Sequence, residues 1–204
     1  MYELLVLSLL MHWPLHAYRL AKIANEIIGP EEQISTGTLS TLLNKLEQAE
    51  LIAIAEPGSS PFLTDRPSRV LAITSKGRER FRELMMNTTS HSGTHRRLFH
   101  IKALNLEFLP VEQQLYLVEH YLNHCRQILR LKQMDTLDVA GNPRKQEHMS
   151  SALRETAFAL MQLKIEQWRL ELVWGETLRE QILSRLRQNK VVHILPEDSA
   201  AKSR

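Results

Sequence analysis

The strongest constraint on the fold is the spacing of leucines between residues 35 and 48. They recur at i, i+3, i+4 and i+7, as Leu39, Leu42, Leu43 and Leu46. This period predicts an amphipathic helix with one apolar stripe. Ser35 occupies the N-cap position, where its hydroxyl can accept a hydrogen bond from the backbone N–H of Gly37 or Thr38. The segment therefore has a predicted start and a predicted buried face.

The opposite face of this helix carries mostly short residues. They are Gly37, Thr41, Asn44 and Gln48, flanked by Ser40 and Lys45. A solvent-facing helix would more often carry Glu and Lys there, whereas a helix that enters a DNA groove favours short donors and acceptors. Its N-terminus also offers free N–H groups to a phosphate. The segment by itself leaves both interpretations open.

The composition fits a helical globular protein in a reducing compartment. Of the 204 residues, 43% are hydrophobic and 24% are charged, and Cys125 is the single cysteine, which rules out an internal disulfide. The apolar N-terminus is interrupted by His12, Trp13 and Pro14, so we expect neither a signal peptide nor a membrane span. These features predict a cytoplasmic protein.

The charge is weak evidence for an acidic partner. The formal net charge is +3 and the pI is about 9.1, but residues 1–87 hold 9 Lys and Arg against 10 Asp and Glu. Positive charge is instead concentrated locally, in Arg66, Arg69, Lys76, Arg78, Arg80 and Arg82. A nucleic-acid surface, if present, is expected to be local.

The first half of the chain predicts a winged helix-turn-helix domain over residues 1–87. Helices are expected at residues 2–11, 15–28 and 35–48, then strands at 51–56 and 69–74, then a helix at 75–86 capped by Thr74. The strands form a two-stranded hairpin with Arg66 and Arg69 near its tip. In this architecture the third helix enters the major groove, and the hairpin contacts the backbone or the minor groove.

The second half predicts an all-helical dimerisation domain over residues 88–190, so the fold class is mostly α. A polar linker at 87–94 precedes helices at 95–108, 111–136 and 145–188, with a turn at 138–143. Residues 191–204 form a polar tail that we expect to be disordered.

The last predicted helix is too long and too widely apolar to be buried within so small a domain, which favours a homodimer. An intramolecular helical hairpin is the alternative. The first helix is apolar on all sides, so it is buried either in its own domain or against a second chain. The predicted interface residues are Leu5, Leu9, Leu160, Ile165, Trp168 and Leu172.

Four segments together resemble the PadR family of bacterial transcriptional regulators. LLVLSLLMHWPLHAYRLAKI is similar to the family's opening helix, proline and second helix, and ISTGTLSTLLNKLEQAELI to its recognition segment. RVLAITSKGRERF resembles the end of the wing, where Thr74 and Gly77 match a Leu-Thr-x-x-Gly motif. LFHIKALNLEFLP resembles the start of the longer C-terminal domain of the phenolic-acid-responsive and virulence-activator branch.

The resemblance implies a dimeric repressor that binds double-stranded DNA and is released by a small molecule, often a phenolic acid. The resemblance also implies DNA contacts at Tyr18, Ser35, Gly37, Thr38 and the hairpin arginines. The exposed helix face adds Thr41 and Asn44 toward the bases and Lys45 toward a phosphate, or Ser35, Thr36 and Ser40 if the helix enters by its N-terminus alone. An effector of this family sits near the domain junction, where Trp13 and Trp168 are the aromatic candidates.

Other functions have weaker support in the sequence. There is no glycine-rich phosphate loop and no nucleophile motif, so we expect neither an enzyme nor a cofactor. His120 and His124 have metal-ligand spacing, but without a third ligand we predict no metal site. The main rival is a winged-helix protein–protein interaction module that never touches DNA, which the near-neutral first half slightly favours.

Overall fold

The computed structural model describes residues 1–30, 32–56, 58–62, 69–89, 93–142, 147 and 149–192. The chain divides into two compact units, Met1–Leu109 and Pro110–Arg204, and each is described by itself. Among the described residues, no helix carries an apolar stretch that could cross a bilayer.

Unit 1 consists of helices around a small antiparallel sheet. Its elements are α1 Tyr2–His12, β1 Leu15–His16, α2 Ala17–Ile28, α3 Thr36–Gln48, β2 Ile52–Ile54, β3 Val70–Ile73, α4 Ser75–Met86, α5 His95–Ala103 and a 3-10 helix Leu106–Phe108. The sheet order is β1-β3-β2, so the expected hairpin β2-β3 is present. Strand β1 was not predicted from the sequence. Its Leu15 pairs with Leu71 and its His16 with Val70, where the sequence predicted the start of a helix.

Helix α1 forms the centre of unit 1. Residues 4–10 are all buried, and Ser8, the one hydroxyl among them, donates to Leu5 O at 2.8 Å. A helix without a polar face must be covered on all sides, and the rest of unit 1 covers this one. Leu5 and Leu9, predicted at the dimer interface, are 0% and 5% exposed. They therefore have almost no surface left for a second chain, and the prediction is corrected on this point.

Hydrogen bonds of Thr74 hold the chain just after α3 against the start of α4. Thr74 Oγ1 accepts from Gly77 N at 3.0 Å and donates to Glu50 O at 2.7 Å, while Thr74 N donates to Leu51 O at 3.1 Å. Glu50 has a φ of 59°, the left-handed conformation that lets the chain turn sharply after α3. A Cβ on Gly77 would lie 2.0 Å from Leu51 O, so this close approach requires glycine.

The segment after α4 returns to unit 1, so the units divide after Leu109 and not after residue 87 as the linker composition suggested. Lys102 Nζ donates to Asn87 O at 2.5 Å, and the Phe81 and Phe108 rings lie edge to face at 5.8 Å. Residues 90–92 of the predicted linker lie outside the described residues.

The predicted helix 95–108 is interrupted after Ala103. The side chain of Asn105 caps the end of α5, because its Nδ2 donates to Ile101 O at 2.7 Å. Its Oδ1 lies 3.2 Å from His12 Nε2. An asparagine that satisfies the last helical carbonyls commonly ends a helix. The following residues form the short 3-10 helix.

Unit 2 is an antiparallel pair of long helices, α6 Val111–Gly141 and α7 Ser151–Val192. Tyr121 OH donates to Glu171 Oε2 at 2.7 Å, and a Cβ on Gly175 would lie 2.8 Å from Leu122 Cδ2. The turn predicted at 138–143 is wrong up to residue 141, because α6 continues to Gly141. The predicted start of the last helix, 145–148, falls largely outside the described residues, as do 193–204 of the predicted tail.

The intramolecular hairpin accounts for much of the apolar pattern that favoured a dimer. Ile165 is 3% exposed, and the ring of Trp168 lies edge to face with His124 at 5.7 Å. Leu172 is half-buried, whereas Leu160 is exposed. The predicted interface residues Ile165 and Trp168 therefore belong to the α6–α7 contact, and only Leu160 of the set on α7 is fully available to a partner.

Candidate nucleic-acid interface

Helix α3 begins where the leucine pattern predicted. Ser35 Oγ accepts from Thr38 N at 3.1 Å and shares a hydrogen bond with Thr38 Oγ1 at 2.9 Å, which confirms the expected N-cap. Leu39, Leu43 and Leu46 are buried. The burial of one face fixes the rotation of the helix, so its opposite face is presented outward.

The outward face holds most of the residues predicted to contact DNA. Exposed on α3 and at its cap are Ser35, Thr36, Gly37, Thr38, Ser40, Thr41, Asn44 and Lys45. A Cβ added at Gly37 would meet nothing within 4 Å, so the first turn of the helix is sterically open. The first-turn N–H groups that lack intrahelical acceptors add a positive helix-dipole end to this surface.

Asn25 positions the entry into α3, a role that sequence reasoning missed. From the last turn of α2 its Oδ1 accepts from Ile34 N at 2.7 Å, and its Nδ2 donates to Ile34 O at 3.3 Å. One side chain thus satisfies both backbone groups of the residue before the N-cap. Asn25 lies four residues before Gly29, the C-cap of α2. An amide at that place was the available signal, because Asn readily bonds to backbone outside a helix.

The wing lies beside α2 in its described part. The rings of Phe62 and Trp13 are edge to face at 5.8 Å, and Arg19 Cζ lies 5.7 Å from the centre of the Phe62 ring. Tyr18 on α2 is exposed. Arg69 is exposed at the start of β3, whereas Arg66 lies outside the described residues.

Acidic side chains neutralise much of the predicted basic cluster. The ion pairs are Arg69 with Glu47, Lys76 with Glu50, and Arg80 with both Glu3 and Glu83. Between residues 66 and 82 the sequence holds a single carboxylate, Glu79, but the four carboxylates in these ion pairs come from other parts of unit 1 or from just beyond that interval. The local excess of positive charge is therefore smaller than the sequence suggested.

The two aromatic effector candidates belong to different units, and the two histidines with metal-ligand spacing lie in unit 2. Trp13 in unit 1 is 44% exposed and its ring lies 5.1 Å from that of His12, while Trp168 in unit 2 packs on His124. Burial lowers the pKa of His124, and the charge of His120 adds to this effect. The described residues hold no group of three or more His, Cys, Asp or Glu side chains arranged for a metal ion.

Three helices, a capped and outward-facing third helix, and an antiparallel wing define unit 1 as a winged helix-turn-helix domain. The family model for the "Transcriptional regulator PadR-like family" matches residues 6–83. This match confirms the resemblance to PadR-like regulators that was stated from the motifs. That description names transcriptional regulators and no class of enzyme, in agreement with the sequence analysis.

Several solved structures resemble the chain over most of its length. Bacillus subtilis PadR in complex with operator DNA is 17% identical, with 89% of this chain and 98% of that chain covered and a TM-score of 0.39. The same protein in complex with p-coumaric acid is 16% identical, with 88% and 97% covered and a TM-score of 0.37. The Vibrio cholerae virulence activator AphA is 16% identical, with 91% and 99% covered and a TM-score of 0.36. No curated protein matches the sequence.

Proposed function

We propose that this protein is a homodimeric, cytoplasmic, DNA-binding repressor that a small molecule releases from its operator. The observation that carries the proposal is the outward face of α3, a row of short polar side chains behind a capped helix N-terminus within a PadR-like domain. Such a face lets a helix backbone approach the floor of the major groove, where donors and acceptors distinguish all four base pairs.

The residues of α3 divide by their place along the helix. Thr41 and Asn44 lie in the middle of the exposed face, opposite the buried leucines, and are assigned to base edges. Lys45 lies at the flank of this face and is assigned to a phosphate, because an ammonium on a long stem suits a backbone contact. If the helix docks by its N-terminus alone, Ser35, Thr36 and Ser40 take over the base contacts.

The proposed dimer uses a second apolar stripe on α7, not the stripe packed on α6. Its residues are Leu153, Leu160, Leu163, Leu170 and Trp174, all exposed. Trp174 lies at its edge, because its ring also lies edge to face with Tyr121 of α6 at 6.2 Å. Successive members of this stripe are seven, three, seven and four residues apart. This spacing places them along one side of the helix, as in a coiled-coil seam. An apolar stripe of this length left in water is typical of an interface. The seam thus retains Leu160 from the predicted set and replaces the residues that the core covers.

A mobility-shift titration over a range of salt concentrations tests DNA binding. The probe is the DNA upstream of the protein's own coding sequence, with a scrambled probe of the same length as the control. We expect specific retardation that weakens steeply with salt as counterions are released. No preference over the scrambled probe at low salt would contradict the proposal. It would favour the second candidate, a winged-helix protein–protein interaction module, which is supported by the ion pairs that neutralise cations of unit 1.

Sedimentation tests the dimer. The double substitution Leu163→Lys with Leu170→Lys places charges in the proposed seam and should yield a monomer at micromolar concentration. Gln162→Lys is the matched control, because Gln162 is also exposed on α7 but lies about 100° around the helix from Leu163 and is not three or four residues from any seam position. A wild-type monomer at micromolar concentration would refute the dimer, and equal dissociation by both changes would refute the seam.

The effector remains the part supported by the family resemblance alone. A simple phenolic acid such as p-coumaric acid is the probe, and it should weaken the retarded complex at a fixed DNA concentration. Trp13→Phe and Trp168→Phe test the two aromatic candidates. An unchanged complex at millimolar phenolic acid would remove the phenolic class from the proposal.

A further inference from the structure

An ion pair joins the recognition helix to the wing. Glu47 lies in the last turn of α3, and Arg69 lies directly before β3. Arg69 Nη1 donates to Glu47 Oε1 at 3.2 Å and to Oε2 at 3.3 Å. The side chain of Glu47 is 21% exposed and that of Arg69 is 54% exposed. The carboxylate is thus the fixed partner, and the guanidinium extends from it toward solvent.

The pair occupies only part of the guanidinium. Arginine carries five N–H donors in one plane, and here Nη1 alone serves Glu47. Among the described residues of unit 1, no hydrogen-bond acceptor lies against Nε or Nη2 of Arg69. An arginine with one edge anchored, and with the other edge not contacted by any described residue, is prepared for a two-point contact with a phosphate, since its orientation is already set.

We propose that Glu47 is a positioning residue for DNA binding, which holds Arg69 so that its open edge meets a backbone phosphate beside the recognition helix. This inference rests on the proposed function. It assigns to an acidic residue a favourable role in binding a polyanion, and this makes the sign of its substitution diagnostic.

Simple electrostatics and the positioning role predict opposite outcomes. Removal of a carboxylate near the DNA backbone reduces repulsion, so charge alone predicts tighter binding by Glu47→Gln. Loss of the anchor releases the Arg69 side chain into many rotamers, so positioning predicts weaker binding. Glu50→Gln is the matched control, because Glu50 lies three residues further on, is 82% exposed, and pairs with Lys76 Nζ at 3.4 Å.

The experiment is a double-mutant cycle in the salt-dependent mobility shift, on the full-length protein and the operator probe. We expect Glu47→Gln to weaken specific binding by about 3- to 10-fold, as for the loss of one oriented charged contact, and Glu50→Gln to leave it unchanged or tighter. Glu47→Gln should have no further effect in an Arg69→Ala background. Arg69→Ala itself should reduce the salt slope by roughly one unit per half-site. Thermal unfolding of each variant checks that the fold is retained.

Three results would overturn the inference. If Glu47→Gln binds as tightly as Glu50→Gln, or more tightly, Glu47 does not position a DNA contact although the proposed function stands. If Glu47→Gln weakens binding equally with and without Arg69, the effect does not pass through Arg69. If the wild-type protein shows no specific binding, the proposed function fails and this inference fails with it.

Discussion

Replacement of Gly77 by alanine should strongly destabilise unit 1. The new Cβ would lie 2.0 Å from Leu51 O and 2.7 Å from Ile73 Cγ1, and the first of these is a backbone atom that cannot rotate away. To restore an ordinary contact the start of α4 must move by about 1 Å, a strain of the kind produced by overpacking. That shift would also stretch the hydrogen bond from Thr74 N to Leu51 O, now 3.1 Å.

The expected magnitude is a difference of two opposing effects. Overpacking in a well-packed core typically costs about 1–3 kcal/mol, and a backbone clash belongs at the upper end of that range or beyond it. Alanine favours a helix over glycine by about 1 kcal/mol. We therefore expect the free energy of unfolding of unit 1 to fall by about 2–3 kcal/mol, which for a unit of this size lowers Tm by roughly 10 °C.

Circular dichroism during thermal unfolding measures this change, and Gly37→Ala is the matched control. Gly37 also lies in the first turn of a helix, but nothing is within 4 Å of its added Cβ. The control should therefore gain stability, by about 0.5–1 kcal/mol, from helix propensity alone. Equal Tm changes in the two variants would refute the argument that the Leu51 contact requires glycine at residue 77.

Three further predictions concern named side chains. Thr74→Val keeps the volume but removes the N-cap of α4, so urea unfolding should show a loss of about 1–2 kcal/mol that Thr74→Ser largely avoids. Burial lowers the pKa of Lys102 from 10.5 to about 8, so above pH 8 the unfolded chain binds more protons than the folded chain. The free energy of unfolding should therefore rise by about 1 kcal/mol from pH 7.5 to 9, and Lys102→Met should abolish that rise. Lys45→Ala should weaken all DNA sequences alike and lower the salt slope by about one unit per half-site, whereas Asn44→Ala should relax preference at one base pair per half-site; binding-site selection and salt titration distinguish the two.

Local signals in the sequence were sufficient to locate α1, α3 and α4 in unit 1. The N-caps Ser35 and Thr74 and the leucine spacing of α3 depend on neighbours within one turn, so a sequence pattern contains them in full. Strand β1 could not be found in this way. It is two residues long, Leu15–His16, and exists because it pairs with β3 more than fifty residues later, which no local period records.

Pairings between distant residues explain the other differences. The partner of Arg69 is Glu47 and that of Arg80 is Glu3, so a charge count over one interval overestimated the basic surface. Helix α7 is apolar on two sides, and periodicity cannot say which side a neighbouring helix covers. Ile165, Trp168 and Leu172 were assigned to a second chain, but Gly175 on the same side of α7 permits the close approach of Leu122 within the same chain.

Selection of binding sites from a random DNA library by the wild-type protein tests the central claim most directly. A dimer that presents two copies of α3 should enrich a near-palindrome whose half-site centres lie about 10–10.5 base pairs apart, or a multiple of that distance. Enrichment of such a sequence is the predicted result. Recovery of no consensus at low salt would contradict DNA binding through α3, and a single asymmetric site would contradict binding as a symmetric dimer.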